Sequence, residues 1–521
     1  MSKIVIVNLT QKTINEENYN YSEGGHYGRG LAMELLEKYT GSSKGRLDEN
    51  NALVIAPGLF AGNRAPCAGR AVLMAKGEGV RGLAVSNFTG DFPQKLASLN
   101  IAALVITGKY AEGNAAVLID REGVRIESMP KLQGMYIPEI VDELREDFGK
   151  ECALWGVGKA ADFQLPLSGY FVTYPEGEPR FHCPRSGFGD VAGSKGLRVI
   201  IVKCGKYFDA PCVNALSFQE KGRRLTSLIT KNEICGGALP GLGSITLLHL
   251  LKNHQELPEV KGTAGVHKKR GGGRMNYCCA PMCVIGCLNR HSANDSEFYS
   301  APEESEVRAA LENQFGDGSF SFAKELNRRG FSIGLNTTEF VYTAGMYFEA
   351  LNQKTADGAK VKEKLFSLMD EIENGTAIGR LIGSGTPAVS SLYRDRPGLL
   401  NKVTRPSSFR ESQFRVKLCR FYPELNDISD MELLYRQVFL LENLGICIFS
   451  SFALLNNQEA LELLASMASD RLGREVSLLC MLEYAGKCIE RETEYQYRSL
   501  SGEVHKNIPE FIKVLYQYFE A

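Results

Sequence analysis

Apolar positions follow two different rhythms along the chain. Up to about residue 210 they come in short aliphatic runs broken by glycine, at 4–7, 53–55, 71–74, 103–106, 117–119 and 197–202. Runs of this length between turn residues predict strands. Two stretches, 30–39 and 137–148, carry apolar residues at helical spacing instead. Strands and helices do not alternate one for one, so a simple doubly wound sheet fits poorly and a sheet-based α+β domain fits better. From about Asn214 onward, apolar residues recur at i, i+3, i+4 and i+7 over 216–230, 304–314, 337–352, 359–374, 431–444, 456–469, 475–490 and 507–519. That pattern predicts helices. Segments 268–274 and 383–406 read as loops, and no internal repeat or low-complexity tract is visible. The expected fold is α+β: a sheet-containing N-terminal domain over 1–210, a helical domain over 211–385, and a C-terminal helical domain over 386–521.

One segment carries more chemistry than the rest: Asn276-Tyr-Cys-Cys-Ala-Pro-Met-Cys-Val-Ile-Gly-Cys-Leu-Asn-Arg290. Cys279, Cys283 and Cys287 stand four apart, so a helix or tight turns would let their thiols converge. Three thiolates from a short segment and a fourth from elsewhere suit an iron–sulfur cluster. Alternatives are a buried cysteine-rich turn, a zinc site, which usually takes its thiolates as two separated pairs, and a radical-SAM triplet, which has a different spacing and follows an early barrel strand. A redox cluster is the favoured reading.

Charge and composition narrow the field. Sixty basic residues against 61 acidic ones give a net charge of −1, which removes any strong case for nucleic acid as partner. The longest apolar stretches, such as 446–455, fall far short of the ~20 residues that span a bilayer. The first residues, Met1-Ser-Lys-Ile-Val-Ile-Val7, read as a strand with no apolar leader region. A cytoplasmic location is expected, where 14 cysteines serve as thiols and metal ligands rather than disulfides. The glycine run at 271–273 lacks the lysine–serine/threonine ending of a phosphate loop.

Several further blocks occur in a recognisable order: Gly28-Arg-Gly-Leu-Ala-Met-Glu-Leu-Leu36, Ala56-Pro-Gly-Leu-Phe-Ala-Gly62, Ala68-Gly-Arg70, Ser86-Asn-Phe-Thr-Gly90, Arg185-Ser-Gly-Phe-Gly-Asp-Val-Ala-Gly-Ser-Lys-Gly-Leu197, the cysteine block, and Glu442-Asn-Leu-Gly-Ile-Cys447. Together they resemble the aldehyde:ferredoxin oxidoreductase family, tungsten-containing pyranopterin enzymes of anaerobes. The resemblance implies a tungsten (or molybdenum) bis-pyranopterin and one [4Fe-4S] cluster. It implies cofactor binding by Arg70, Asn87, Arg185, Ser186, Gly334, Leu335, Asn336 and Glu442, with Asn87 a candidate for a magnesium ion bridging pterin phosphates. It also implies cluster ligation by Cys279, Cys283, Cys287 and, at the end of the second pterin motif, Cys447. Arginine forks suit phosphate, and a carboxylate such as Glu442 can accept from pterin nitrogens.

This chain departs from the family pattern in several places. Three residues rather than two separate Cys279 from Cys283, leaving Cys278 as a spare thiol or an alternative first ligand. The first pterin motif reads Phe331-Ser-Ile-Gly-Leu-Asn336, with phenylalanine in the aspartate position, and Glu442 replaces aspartate in the second. The stretch 292–504 has no histidine, where the family often places one beside the metal. Glu303 and Glu306 in Ala301-Pro-Glu-Glu-Ser-Glu306 are the proton-transfer candidates the resemblance supplies, against the plain reading of an acidic helix start. His182, His267, His291 and Tyr277 are unranked. The expected reaction is oxidation of an aldehyde to a carboxylic acid, with electrons leaving through the cluster to ferredoxin or a ferredoxin-like subunit. A homodimer is compatible with this reading. The competing readings are a relative acting on a non-aldehyde substrate, such as an aromatic thioester, and an inactive cofactor-binding or electron-transfer subunit.

Overall fold

The structure, a computed structural model, describes residues 2–21, 26–41, 45–78, 81–175, 181–182, 187–205, 207–243, 246–247, 276–294, 297–300, 302–316, 320–392, 418–499 and 511–520. Its N-terminal part is built from two six-stranded sheets. The first contains β1 (Ser2–Asn8), β2 (Thr13–Tyr19), β3 (Leu53–Pro57), β4 (Arg70–Glu78), β5 (Arg81–Thr89) and β6 (Ile101–Thr107), in the order β2-β1-β6-β3-β4-β5. The second contains β7 (Ala115–Ile119), β8 (Val124–Ser128), β9 (Ala153–Val157), β10 (Tyr170–Thr173), β11 (Phe181–His182) and β12 (Leu197–Val202), in the order β8-β7-β12-β9-β10-β11.

The two orders are the same once six is added to each strand number. The strand directions repeat as well: β1 and β6 are parallel, as are β7 and β12, and the other neighbouring pairs are antiparallel. Helices repeat in step. α1 (Gly28–Thr40) and α2 (Phe92–Ser98) occupy the same places in the first half as α3 (Ile137–Phe148) and α4 (Gly189–Ser194) do in the second. The expectation of no internal repeat is therefore corrected at the level of the fold. The duplication escapes the sequence because a sheet needs only apolar side chains of suitable size at its core positions.

Both faces of each sheet are buried. Val5, Val7, Leu53 and Ile55 point into a core shared with Val117, Trp155, Val172 and Ile200 of the second sheet. Their neighbours Ile4, Ile6, Val54 and Ala56 pack under α1, and Ala116, Leu118, Val199 and Ile201 pack under α3. Period-two alternation thus serves two cores at once. The edge strands β2 and β8 are mostly exposed or half-buried and carry charged residues, so they lacked the apolar signal.

The rest of the described chain is mainly helical: α5 (Ala215–Lys231), α6 (Pro302–Phe315), α7 (Ala323–Ile333), α8 (Thr337–Ala350), α9 (Gly358–Glu373), α10 (Ala377–Gly383), α11 (Thr386–Leu392), α12 (Asp430–Leu444), α13 (Gln458–Leu472), α14 (Leu478–Ser499) and α15 (Phe511–Glu520). Helices α6 to α11 form one core, joined by Ala160, Leu165 and Leu167 from the second sheet's β9–β10 connection. A second core gathers α5, α12, α13, α14 and α15 around Leu59, Phe60, Cys67 and Ala68 from the equivalent β3–β4 connection. Each half of the duplicated unit thus carries its own helical partner.

The architecture is α+β, as expected. One further sequence expectation needs correction. The predicted loop at 383–406 contains α11, which begins at Thr386 with Pro387 in the first turn, where proline's missing N–H is harmless; its remainder beyond 392, and the loop at 268–274, lie outside the described residues. The cysteine block, for which the spacing leaves a helix or tight turns both open, is a loop within a small antiparallel sheet of β13 (Asn276–Tyr277), β14 (Leu288–Asn294) and β15 (Glu297–Ser300).

Candidate functional site

Two helix ends organise the site. Helix α12 stops at Gly445, whose φ of 77° is left-handed, and Ile446 then forms an antiparallel bridge with Ala68. In the other half α7 stops at Gly334 with φ 76°, and Leu335 forms the matching bridge with Ser168. The contact surfaces are glycine on glycine. A Cβ on Gly58 would lie 2.1 Å from the Gly445 Cα, and one on Gly158 would lie 2.7 Å from the Ile333 carbonyl oxygen. The family-like segments around 331–336 and 442–447 are therefore equivalent parts of the duplicated fold, each docked on the connection after a central strand.

The first half is polar at this junction. Leu59 and Phe60 donate their N–H groups to the Asn443 and Leu444 carbonyls, both at 3.0 Å, and the Arg70 N–H donates to the Gly445 carbonyl at 3.2 Å. Gln94 holds the connection in shape by accepting from the Gly62 N–H and donating to the Ala68 carbonyl. The Cys447 N–H donates to the Cys67 carbonyl and the Cys67 N–H to the Met282 carbonyl, each at 2.9 Å. Cys67 thereby ties the turn after α12 to the cysteine block.

That block is a loop between β13 and β14, with Tyr277 paired to Leu288. It approaches the first half through Ala280, which packs where a Cβ on Gly69 would be, 2.5 Å away. Cys279 and Cys283 are in hydrogen-bond contact, and both they and Cys447 lie within electrostatic reach of Cys287. The four thiols of Cys279, Cys283, Cys287 and Cys447 are thus brought together, although Cys447 lies far beyond Cys287 in the sequence. Cys278 turns its thiol to the Cys283 carbonyl oxygen at 3.2 Å and also touches the Cys283 sulfur. Thr89 donates to the Cys279 sulfur at 3.6 Å.

Arg70 lies against this group. Its Nη2 donates to Cys447 Sγ at 3.3 Å and its Nη1 to Asn87 Oδ1 at 3.0 Å, while its Nε is buried without a partner. Burial pushes the Cys447 thiol up, and the Arg70 guanidinium opposes that rise. Burial, followed by the neighbouring Cys279 and Cys283 thiols, raises Cys287 further. Such sulfurs take the thiolate form when positive charge is supplied next to them.

Beyond Asn87 the polar contacts continue. Asn87 Nδ2 donates to Glu442 Oε1 at 3.4 Å, and Arg29 Nη1 donates to Glu442 Oε2. Arg29 also makes a two-pronged ion pair with Glu492, at 2.7 Å and 2.6 Å, and its guanidinium lies 4.5 Å from the centre of the Phe439 ring. Arg29, Glu442 and Glu492 are all buried. Burial raises the Glu492 carboxyl, and Arg29 pulls it back. A continuous relay therefore runs Cys447–Arg70–Asn87–Glu442–Arg29–Glu492.

The second half has a different character. Phe331 stands where Glu442 does and Tyr170 stands where Arg70 does; Tyr170 is fully buried, stacked on Trp155 and 2.7 Å from the Ser86 hydroxyl. Asn336, the counterpart of Cys447, caps α8 by accepting from the Glu339 N–H. Gly334 and Leu335 hold the turn to Gly169 and Ser168. Glu306 is half-buried in the first turns of α6, beside Val307 of the middle helical core. The Glu303 side chain, Arg185 and Ser186 lie outside the described residues. Cys67, Arg29 and Glu492 were not singled out from the sequence. Arg29 lies within a family-like block and Cys67 directly precedes one, but nothing near Glu492 marks it.

The donor set can be tested against the groups that the resemblance implies. Among the described residues no three or more His, Cys, Asp or Glu side chains are arranged around a single metal ion. A multi-iron cluster, whose thiolates attach to different irons, asks for an all-sulfur set such as this one. Arg70 Nε and Asn443 Nδ2, both buried and unpartnered, and the Glu442 carboxylate offer the donors and acceptor that a phosphorylated pterin needs. The residues of the first half fit both groups. The second half offers the turn at 334–336 and no carboxylate at 331.

A family model described as the N-terminal domain of aldehyde ferredoxin oxidoreductase matches residues 4–204, the span of the duplicated sheets. Tungsten-containing aldehyde ferredoxin oxidoreductases are similar over longer stretches. That of Pyrococcus horikoshii is 27% identical over 298 residues, covering 55% of this chain and 48% of the relative. That of Pyrococcus furiosus is 26% identical over 348 residues, covering 64% and 56%. The chain thus matches about half the length of these curated relatives. Among solved structures, the active-site complex BamBC of benzoyl coenzyme A reductase, in complex with 1,5-dienoyl-CoA, shares the fold at a TM-score of 0.75 and 14% identity, over 100% of this chain and 94% of that one. The match of the N-terminal domain model thus takes in the duplicated sheet unit, and the chain is similar to tungsten-containing aldehyde ferredoxin oxidoreductases over longer stretches.

Proposed function

We propose that this protein is a tungsten (or molybdenum) pyranopterin oxidoreductase with one [4Fe-4S] cluster, oxidising an aldehyde to a carboxylic acid and passing electrons to ferredoxin or a ferredoxin-like subunit. The observation that carries the reading is the meeting of Cys279, Cys283, Cys287 and Cys447 beside Arg70, one hydrogen bond from Asn87 and two from Glu442. Bound together, the two groups would supply two-electron chemistry at the metal and one-electron transfer at the cluster. In this reading the four cysteines hold the cluster. Arg70 offers its free Nε–H to a cofactor oxygen, and Glu442 accepts from pterin nitrogens with its remaining lone pairs. A second pterin would rest on the 334–336 turn. Asn87 Oδ1, the magnesium candidate, is engaged by Arg70. Glu303 and Glu306 remain the proton-transfer candidates of this reading.

Phe331 and the histidine-free stretch from 292 to 504 favour a second reading, a family relative acting on a non-aldehyde substrate such as an aromatic thioester. The fold shared with a benzoyl-coenzyme A reductase complex is compatible with it. An electron-transfer subunit is the third. Elemental analysis of protein purified without oxygen, with a redox-dye assay over aldehydes and aromatic acyl thioesters, separates the three. Tungsten or molybdenum with iron and aldehyde turnover supports the first. Both metals with thioester turnover alone supports the second, and iron alone supports the third. Protein with neither metal sinks all three.

A further inference from the structure

Cys67 adds a buried thiol to the cysteine group, contributed by neither the 278–287 block nor the turn after α12. Its chief thiol partners are Cys283, with which it is in hydrogen-bond contact, and Cys447. The sulfurs of Cys279, Cys283, Cys287 and Cys447 interact with one another; Cys67 flanks that group on the side of Cys283 and Cys447. Its backbone is fixed from both directions, by the N–H bond to the Met282 carbonyl and by the Cys447 N–H on its own carbonyl, each at 2.9 Å.

The conformation at this residue is unusual. Cys67 has φ +58°, a left-handed backbone that crowds a residue with a Cβ. Glycine would sit there without strain. Strained backbone of this kind clusters at functional sites. The thiol of Cys67 is buried and aimed at another cysteine. Cys278 and Cys279, also neighbours of the Cys283 sulfur, come from the same short loop, and Cys278 in addition turns its thiol to the Cys283 carbonyl oxygen at 3.2 Å.

Resting on the cluster reading above, we propose that Cys67 is not a ligand but a positioning thiol, whose S–H donates to the Cys283 sulfur and sets the cluster's reduction potential. A cluster becomes more negative when it gains an electron, so a hydrogen-bond donor on a ligand sulfur stabilises the reduced form and raises the potential. Removing the donor lowers it. The backbone bonds that join the two cysteine segments survive any side-chain change at 67, which lets the thiol's contribution be measured alone.

The test uses full-length protein purified without oxygen, comparing wild type with Cys67→Ala, Cys67→Gly and Cys67→Ser. Iron and acid-labile sulfide are counted, and the midpoint potential is read by a dye-mediated titration followed by electron paramagnetic resonance. All four proteins are expected to carry the same iron and sulfide content. The midpoint should fall in the alanine and glycine variants and stay near wild type in the serine variant, whose O–H can still donate. Glycine guards against a folding artefact, since it relieves the strained backbone. Loss of one iron per cluster in the alanine and glycine variants would make Cys67 a ligand and overturn the proposal. Equal potentials in wild type, alanine and glycine variants would overturn it as well. Wild-type protein with no cluster would overturn the cluster reading first, and this inference with it.

Discussion

Arg70 and Cys447 are joined twice: the Arg70 guanidinium donates to the Cys447 sulfur at 3.3 Å, and the Arg70 N–H donates to the carbonyl of Gly445 in the same turn at 3.2 Å. One bond brings positive charge to a buried thiol, and the other fixes the geometry at which it arrives. The same guanidinium reaches Asn87 and, through it, Glu442. A single arginine therefore couples the cysteine group to the carboxylate of the neighbouring helix end.

Replacing Arg70 with alanine should lower the occupancy of both implied cofactors. A lost charge-assisted hydrogen bond is worth about 1.5–3 kcal/mol, or roughly ten- to a hundredfold in affinity at ~1.4 kcal/mol per decade. Arg70→Lys should restore only part, because an ammonium cannot address sulfur, amide and cofactor oxygen with one planar fork. Iron and pterin content per chain, measured against wild type, check this; full occupancy in Arg70→Ala counts against the site.

Cys447→Ala should lose or destabilise the cluster, whereas Cys278→Ala should retain nearly all of its iron. The structure separates the two by environment. Cys447 interacts with Cys279, Cys283 and Arg70, while Cys278 touches Cys283, at its sulfur and its carbonyl oxygen. Visible absorbance and iron counts of the two variants decide the matter, and the reverse order would mean that Cys278 is the ligand.

Much of this arrangement was legible in the sequence, for reasons that also explain the gaps. Central strands such as β6 and β12 and the long helix α12 announced themselves because burial demands apolar residues at fixed periods. Helix α2 is buried on every side, so its sequence Phe-Pro-Gln-Lys-Leu-Ala-Ser shows no polar face and no period. Strands β2 and β8 are edges with little to bury. The duplication is invisible because its two halves have diverged where they matter: Glu442 answers to Phe331, Cys447 to Asn336 and Arg70 to Tyr170. Within the site, Glu442 and the cysteines were readable as motifs. The partner Glu492 sits well beyond Glu442 on an otherwise ordinary helix, and only folding brings it to Arg29.

The Arg29–Glu442–Glu492 group should be costly to break. Removing the cation leaves two carboxylates buried together, and truncating one member of a buried ion pair typically costs about 3–5 kcal/mol. Arg29→Met should therefore fall well below wild type in a urea or thermal unfolding experiment. The double variant Arg29→Met/Glu492→Gln should recover part of the loss, since the introduced amide carries no charge to leave unpaired. A single variant as stable as wild type would mean that the three side chains do not form a buried triad.

Stability should also carry a pH dependence traceable to Asp91. This residue joins the two sheets: its N–H donates to the Thr173 carbonyl at 3.1 Å, and its Oδ1 accepts from the Thr173 hydroxyl at 2.7 Å. Burial pushes its carboxyl up from 3.8 to about 6, with Lys95 and Thr173 pulling the other way. A carboxyl whose pKa is raised on folding binds its proton more tightly in the native state than in the unfolded chain. Its contribution to stability is then fully present below about pH 4 and is lost as the pH rises through about 6. The gap corresponds to roughly 3 kcal/mol at about 1.36 kcal/mol per pH unit. Asp91→Asn keeps the acceptor for Thr173 and removes the charge. It should match wild type at about pH 4 and exceed it by up to that amount at about pH 7.5, as measured by urea unfolding at both values. A stability difference between the two proteins that does not change with pH would show that Asp91 does not titrate in this window.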